Sequence, residues 1–208
     1  MKPSLYSVLA LLVFLAFPGI RNIRAQGSQS QDELSQRARQ EFQDAKYTDA
    51  ERDFREITRR VPSNLYAQFF LGESLFKQQK FADAVLPFEK ALQLESGGEW
   101  LTSDQHRILV DQLVIAYGIS GNLKKVHTVL DDAIRQDPDY PLNYYNLACA
   151  FAEEGEKAKM LTNLSIAFQH KDHVLKGEQM PDPRSDDSFL KYVHDVEFIK
   201  LMKQIGYN

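Results

Sequence analysis

The sequence predicts an all-α fold, a right-handed α-solenoid of four stacked helix hairpins closed by short C-terminal capping helices. Two observations lead there. First, aromatic and small residues recur at a step of 34: Tyr47, Ala50, Phe54 and Ile57 return as Phe81, Ala84, Phe88 and Ala91. Leu113, Tyr117, Gly121, Leu130 and Ala133 return at the same step as Leu147, Phe151, Gly155, Leu164 and Ala167. Such a period marks units that cannot bury their apolar face alone and must stack on neighbours. Second, 208 residues with an apolar share of 43% suffice for one real core.

The N-terminus carries an address. Lys2 precedes an apolar run from Leu5 to Phe17, Pro18-Gly19 breaks it, and Ile23-Arg24-Ala25 leads to Gln26. That order is a secretory signal peptide over residues 1–25 with the cut after Ala25, so the mature chain is expected to be exported, periplasmic or secreted. The run is shorter than the roughly 18 to 20 residues a bilayer span needs. The alternative is an uncleaved inner-membrane anchor over residues 5–20, flanked by Arg21 and Arg24. Residues 26–31 are polar and Ser/Gln-rich and read as a flexible leader.

Residues 32–168 hold the repeats, at about 32–64, 65–98, 107–140 and 141–168. The first pair of units is offset from the second by 42, since Leu71 aligns with Leu113 and Ala91 with Ala133. An inserted loop near 96–103 accounts for the excess. Gly72, Ala84, Ala91, Ala133 and Ala148 lie where helices meet most closely, because only small side chains let backbones approach there. Phe54, Phe88, Leu130 and Leu164 fill the space between hairpins.

This pattern resembles the tetratricopeptide repeat (TPR) family. The second unit shows Leu71-Gly72, Leu75, Phe81, Ala84, Phe88 and Ala91, and the fourth shows Tyr144, Leu147-Ala148, Phe151, Gly155, Leu164 and Ala167. Pro62 and Pro138 close the first and third units. Arg37-Ala38, Val114, Val126 and Met160 depart from the pattern at positions that set helix angles.

Residues 169–208 read as capping helices. Asp182-Pro183 ends the preceding helix, Asp187 and Asp195 are placed as N-caps, and Phe189, Leu190, Val193, Phe198, Ile199, Leu201, Met202 and Ile205 recur at helical spacing. A tail folding into the groove is the alternative.

Chemistry-bearing motifs are sparse, and no enzyme, cofactor or metal is expected. Asn163-Leu164-Ser165 is a glycosylation sequon inside a packed helix. Cys149, the single cysteine, allows no intramolecular disulfide and reads as a small buried residue. His170 and His173 bracket Asp172, but two imidazoles alone do not make a metal site. Glu178, Asp182, Asp186 and Asp187 lack the spacing and central Gly of a calcium loop. The 25 basic against 29 acidic residues, with Lys2, Arg21 and Arg24 all inside the signal segment, leave no basic surface for nucleic acid.

The family resemblance implies a concave surface lined by the first helix of each hairpin, where a protein or peptide is held. By register the groove residues are Arg39, Phe42, Tyr66, Phe69, Glu73, Phe76, Lys77, Ile108, Asp111, Ile115, Tyr145 and Cys149. An apolar groove edged by mixed charge suits an amphipathic helix or extended peptide. Family members that grip a chaperone's terminal carboxylates do so with basic residues, whereas the matching positions here are Ser35, Arg39, Phe70, Ile108 and Gln112. The expected function is an interaction scaffold supporting assembly of an envelope or periplasmic complex, or a membrane-anchored subunit or chaperone of envelope machinery.

Overall fold

The computed structural model describes residues 19–98 and 100–207, with side chains from residue 30 onward. Among these residues there is no strand. Four helix pairs follow one another: α1 Gly19–Gln43 with α2 Tyr47–Arg60, α3 Leu65–Lys77 with α4 Phe81–Ser96, α5 Ser103–Ile119 with α6 Leu123–Gln136, and α7 Pro141–Glu153 with α8 Lys157–Gln169. Each helix packs on the one before and after it, and α3 also touches α5, as α5 touches α7. The fold is therefore a solenoid of hairpins whose first helices line one side.

Every hairpin turns in the same way. Ala45, Gln79, Gly121 and Gly155 occupy equivalent positions and all have positive φ, between 59° and 77°. Behind each, the next amide reaches back five residues: Lys46 to Glu41, Lys80 to Leu75, Asn122 to Tyr117 and Glu156 to Phe151, all at 2.8 to 2.9 Å. This left-handed cap satisfies carbonyls at the end of the first helix.

The close contacts fall on the small residues. Ala84, Ala91 and Ala148 are fully buried, and Gly72 lies directly against the ring of Phe88. Two apolar clusters run along the stack, one from Leu34 to Ala150 and one from Tyr140 to Met202. They meet on α7: Leu147 and Ala150 belong to the first, and Leu142, Tyr145, Ala148 and Ala152 to the second.

Two expectations need correction. Residues 26–31 belong to α1, which is unbroken from Gly19; Ser and Gln are moderate helix formers, and a helix anchored at its C-terminal half propagates at one hydrogen bond per residue. The expected signal segment lies largely in residues 1–18, outside the described ones, and no helix among the described residues is long and apolar enough to cross a membrane. Toward the C-terminus, the first of the two expected capping helices is a 3-10 turn, Asp187–Tyr192. Its cap is Asp186, which accepts from Ser188 N, rather than Asp187. Its six residues hold Phe189 against Tyr145 and Phe198, which a turn does as well as a longer helix.

The second capping helix, α9 Val196–Gln204, is capped by Asp195, whose carboxylate accepts from the backbone of Glu197 and Phe198. It packs on α8, while the Asp187–Tyr192 turn packs on α7. The irregular stretch between the Lys171–His173 3-10 turn and Asp186 is tied to Arg107 of α5 through the His173 carbonyl and to Tyr140 before α7 through Glu178, and its Pro181 and Asp186 face a cavity shared with α5 and α7.

Candidate functional site: the concave face and its C-terminal wall

The groove narrows to a cavity of about 430 Å³ between α5, the start of α6, α7 and residues 181–188. Asp111, Val114, Ile115, Gly118 and Ile119 line it from α5, Leu142, Tyr145, Asn146, Cys149, Ala150 and Glu153 from α7, and Leu123 and Val126 from α6. Pro181, Asp186 and Ser188 form the remaining wall. The walls are mostly apolar with a few placed polar groups, the composition of sites that seat a side chain or a small ligand.

The polar groups are held by one another. Asn146 Nδ2 donates to Asp111 Oδ1 at 2.7 Å, and the Tyr145 hydroxyl donates to Asp186 Oδ2 at 2.9 Å. Burial lifts the Asp111 carboxyl to about 6, with Asn146 opposing and the Glu178 charge adding to the rise. The Cys149 thiol is pushed up by burial and by Asp186, so it stays protonated and unreactive. Glu178 fixes the root of the C-terminal wall, accepting from the Tyr140 hydroxyl at 3.1 Å and from Leu175 N at 3.0 Å.

Of the residues expected in the groove, Asp111, Ile115, Tyr145 and Cys149 line this cavity. Arg39 and Lys77 are exposed, as is Tyr66, whose hydroxyl donates to the Trp100 carbonyl across the inserted loop. Phe42 sits half-buried between Tyr47 and Phe70, Phe76 meets Phe81 edge-on, and Ile108 is half-buried against the core. Two assignments are overturned. Phe69 is 2% exposed and Glu73 6% exposed, so neither offers an open surface. Register places both on the face of α3 that looks inward, but α3 packs against α2, α4 and α5, Phe69 lies in the apolar core beside Phe70, and Glu73 meets Gln112 of α5. Tyr145, although it borders the cavity, is also buried, with its hydroxyl already engaged.

Glu73 is chemically unusual. Its Oε1 has no hydrogen-bond partner, and burial raises the carboxyl to about 7 against the pull of Lys77 and Gln112. Gln112 on α5 likewise has an unpartnered buried Oε1.

A larger hollow, about 1010 Å³, opens along α1 and α2 between Arg37, Glu51, Arg52, Asp53, Arg55 and Lys80. Its charges neutralise one another: Arg37 and Arg52 both pair with Asp53, and Arg55 and Lys80 both pair with Glu51. Burial pushes the Asp53 carboxyl up, but the two guanidinium hydrogen bonds hold it below the usual range. We read this hollow as lined by a lattice of ion pairs.

Reasoning from sequence missed Asn146, Ile119 and the wall residues Pro181, Asp186 and Ser188. Asn146 follows directly on Tyr145 and could have been found from the helix face. Nothing in the pattern of residues 174–190 says on which side of the solenoid that segment returns.

Comparison with known proteins adds a family match over part of the chain. Residues 36–99 match the tetratricopeptide repeat family model. No curated protein matches the chain. Among solved structures, the crystal structure of MamA protein is similar with a TM-score of 0.67 at 17% identity, over 86% of this chain and 91% of that one. A MamA RS-1 ArsTM double mutant reaches 0.59 at 14% identity, over 85% and 96%. YrrB, described as a TPR protein with an unusual peptide-binding site, reaches 0.62 at 14% identity, over 88% and 89%. At such identities the likeness is one of fold. Residues 36–99 thus carry the tetratricopeptide repeat pattern, and the stacked hairpins of the whole described chain share the fold of these solved structures.

Proposed function

We propose that the chain is an exported, non-enzymatic scaffold that holds a protein or peptide on its concave face and supports a larger assembly at the cell envelope. The observation that carries this reading is the apolar cavity on the concave side, bordered by Ile115, Ile119 and Asp111 and closed by residues 181–188. Ile119 is 59% exposed at its mouth, which suits an apolar anchor from a partner. The polar groups around it are engaged in holding the wall, which favours binding over chemistry. The peptide-binding site named for YrrB, a protein of the same fold, is in keeping with this reading. Export rests on the order of residues 1–25.

A photo-crosslinking amino acid at Ile119, compared with one at the exposed Leu86 of α4, tests the binding face in the native host. Position 119 is expected to give one discrete adduct and position 86 none; equal labelling, or an adduct at 86 alone, would sink the groove reading. A membrane-anchored form of the same module is favoured by one feature: α1 runs without interruption across 25 and 26, where a peptidase would cut. Mass spectrometry of the mature N-terminus separates the two.

A further inference from the structure

A second cluster lies outside the groove. Asp139 stands in the connection between α6 and α7, His170 follows the last residue of α8, and His173 ends the short 3-10 turn that begins the C-terminal segment. Asp139 and His173 are 34 residues apart, one repeat length, the step at which stacking brings positions side by side. His170 then completes a group in which one ligand atom from each residue lies within 4.8 Å of the others.

We propose that Asp139, His170 and His173 bind a divalent transition-metal ion of the zinc class. His170 Nδ1 and Asp139 Oδ1 are 3.4 Å apart. Two ligands bonded at about 2.0 to 2.1 Å to one tetrahedral ion stand roughly 3.3 Å from each other, so this edge already has coordination spacing. Two imidazoles and one carboxylate select zinc, cobalt, nickel or copper over calcium and magnesium, which prefer an all-oxygen set. Three protein ligands at a partly exposed rim leave a fourth position for water or for a partner's side chain.

The frame around the ligands is built from other contacts. The His170 ring stacks on Tyr144, with centroids 6.1 Å apart and planes 13° apart, and the Tyr144 hydroxyl donates to the carbonyl of Pro138, the neighbour of Asp139. Arg107 reaches the His173 carbonyl at 3.5 Å, while its guanidinium pairs with Asp137 and lies over the Tyr140 ring. An ion here would tie the fourth hairpin to the root of the segment that walls the cavity.

Zinc titrated by calorimetry into the chelator-treated full chain, and cobalt followed by visible absorption, test the site. One ion per chain is expected, with a higher Tm in zinc. His170→Ala with His173→Ala should abolish binding while the helical signal stays, and Asp139→Asn should weaken it by at least the 10- to 100-fold, roughly, that losing an outer-shell partner costs. His127→Ala, at the distant pair with Glu154, serves as the control and should bind as the parent does. No saturable zinc binding by the parent chain, or undiminished binding by either the double His variant or Asp139→Asn, overturns the proposal.

Discussion

A methyl group on Gly72 would stand 2.5 Å from Cε1 and 2.9 Å from Cγ of Phe88. The Phe88 ring is fully buried where α4 packs on α3. Gly72→Ala is therefore expected to cost about 1 to 3 kcal/mol, the usual penalty for overpacking. Ala84→Leu, at another fully buried contact, should cost a similar amount. Combining Gly72→Ala with Phe88→Leu should recover part of the loss, since the two sites couple. Thermal scans check this; a Gly72→Ala variant that melts like its parent would refute the close approach of the helices.

The four turns offer a test of opposite sign. Ala45 and Gln79 adopt the left-handed conformation that Gly121 and Gly155 adopt in the later hairpins. A non-glycine residue there pays roughly 1 to 2 kcal/mol, against which glycine loses about 0.5 to 1 in chain entropy. Gln79→Gly and Ala45→Gly should each stabilise by up to about 1 kcal/mol, and Gly121→Ala should destabilise by about as much. Urea unfolding midpoints at constant slope give the answer.

Stability should also respond to pH through Glu73. Its folded pKa is raised to about 7, so the folded chain keeps a proton that the unfolded chain has released. The folded state then binds more protons between the ordinary Glu value and about 7, and stability from this group falls as pH rises through that window. Asp111, raised to about 6, acts in the same direction over the lower part of it. Glu73→Gln cannot ionise; it should lie close to its parent near pH 5 and exceed it by up to roughly 3 kcal/mol above pH 7. A Tm difference that does not change between pH 5 and 8 would mean that the Glu73 carboxylate is not desolvated.

Tyr145→Phe removes only the hydroxyl that donates to Asp186. A loss of about 1 kcal/mol is expected, with faster amide exchange in residues 186–190 and no change in α3 and α4. Phe69→Ala should behave differently, unfolding the array at a cost of about 3 to 5 kcal/mol, because that ring is core and not groove.

The fold was legible because the code for it is steric and periodic. Gly72, Ala84 and Phe88 declare a close contact by their sizes, and Ala38, Ala50 and Phe54 stand one period before them. The groove was legible only in part. Register assigns Phe69 and Tyr66 to the inner side alike, yet one is buried in the core and the other is 49% exposed, a difference set by how tightly successive hairpins close. Asp139 and His170 are brought together by stacking, and neither carries a local signal of the other. The turns show a further limit: Gly121 and Gly155 announce a left-handed residue, whereas Ala45 and Gln79 adopt the same backbone without saying so.

Helix α7 is a party wall between two rooms. Leu147 and Ala150 furnish the long core on one side, and Leu142, Tyr145, Ala148 and Ala152 the smaller one on the other. A chain cut after Gln169 would strip the second room of Phe189, Phe198, Leu201 and Met202, leaving Tyr145, Met160 and Phe168 facing water. The residues after Gln169 are thus structural masonry for the final hairpin, whose first helix walls the cavity. Whether the array can hold a guest is decided as much by its tail as by its repeats.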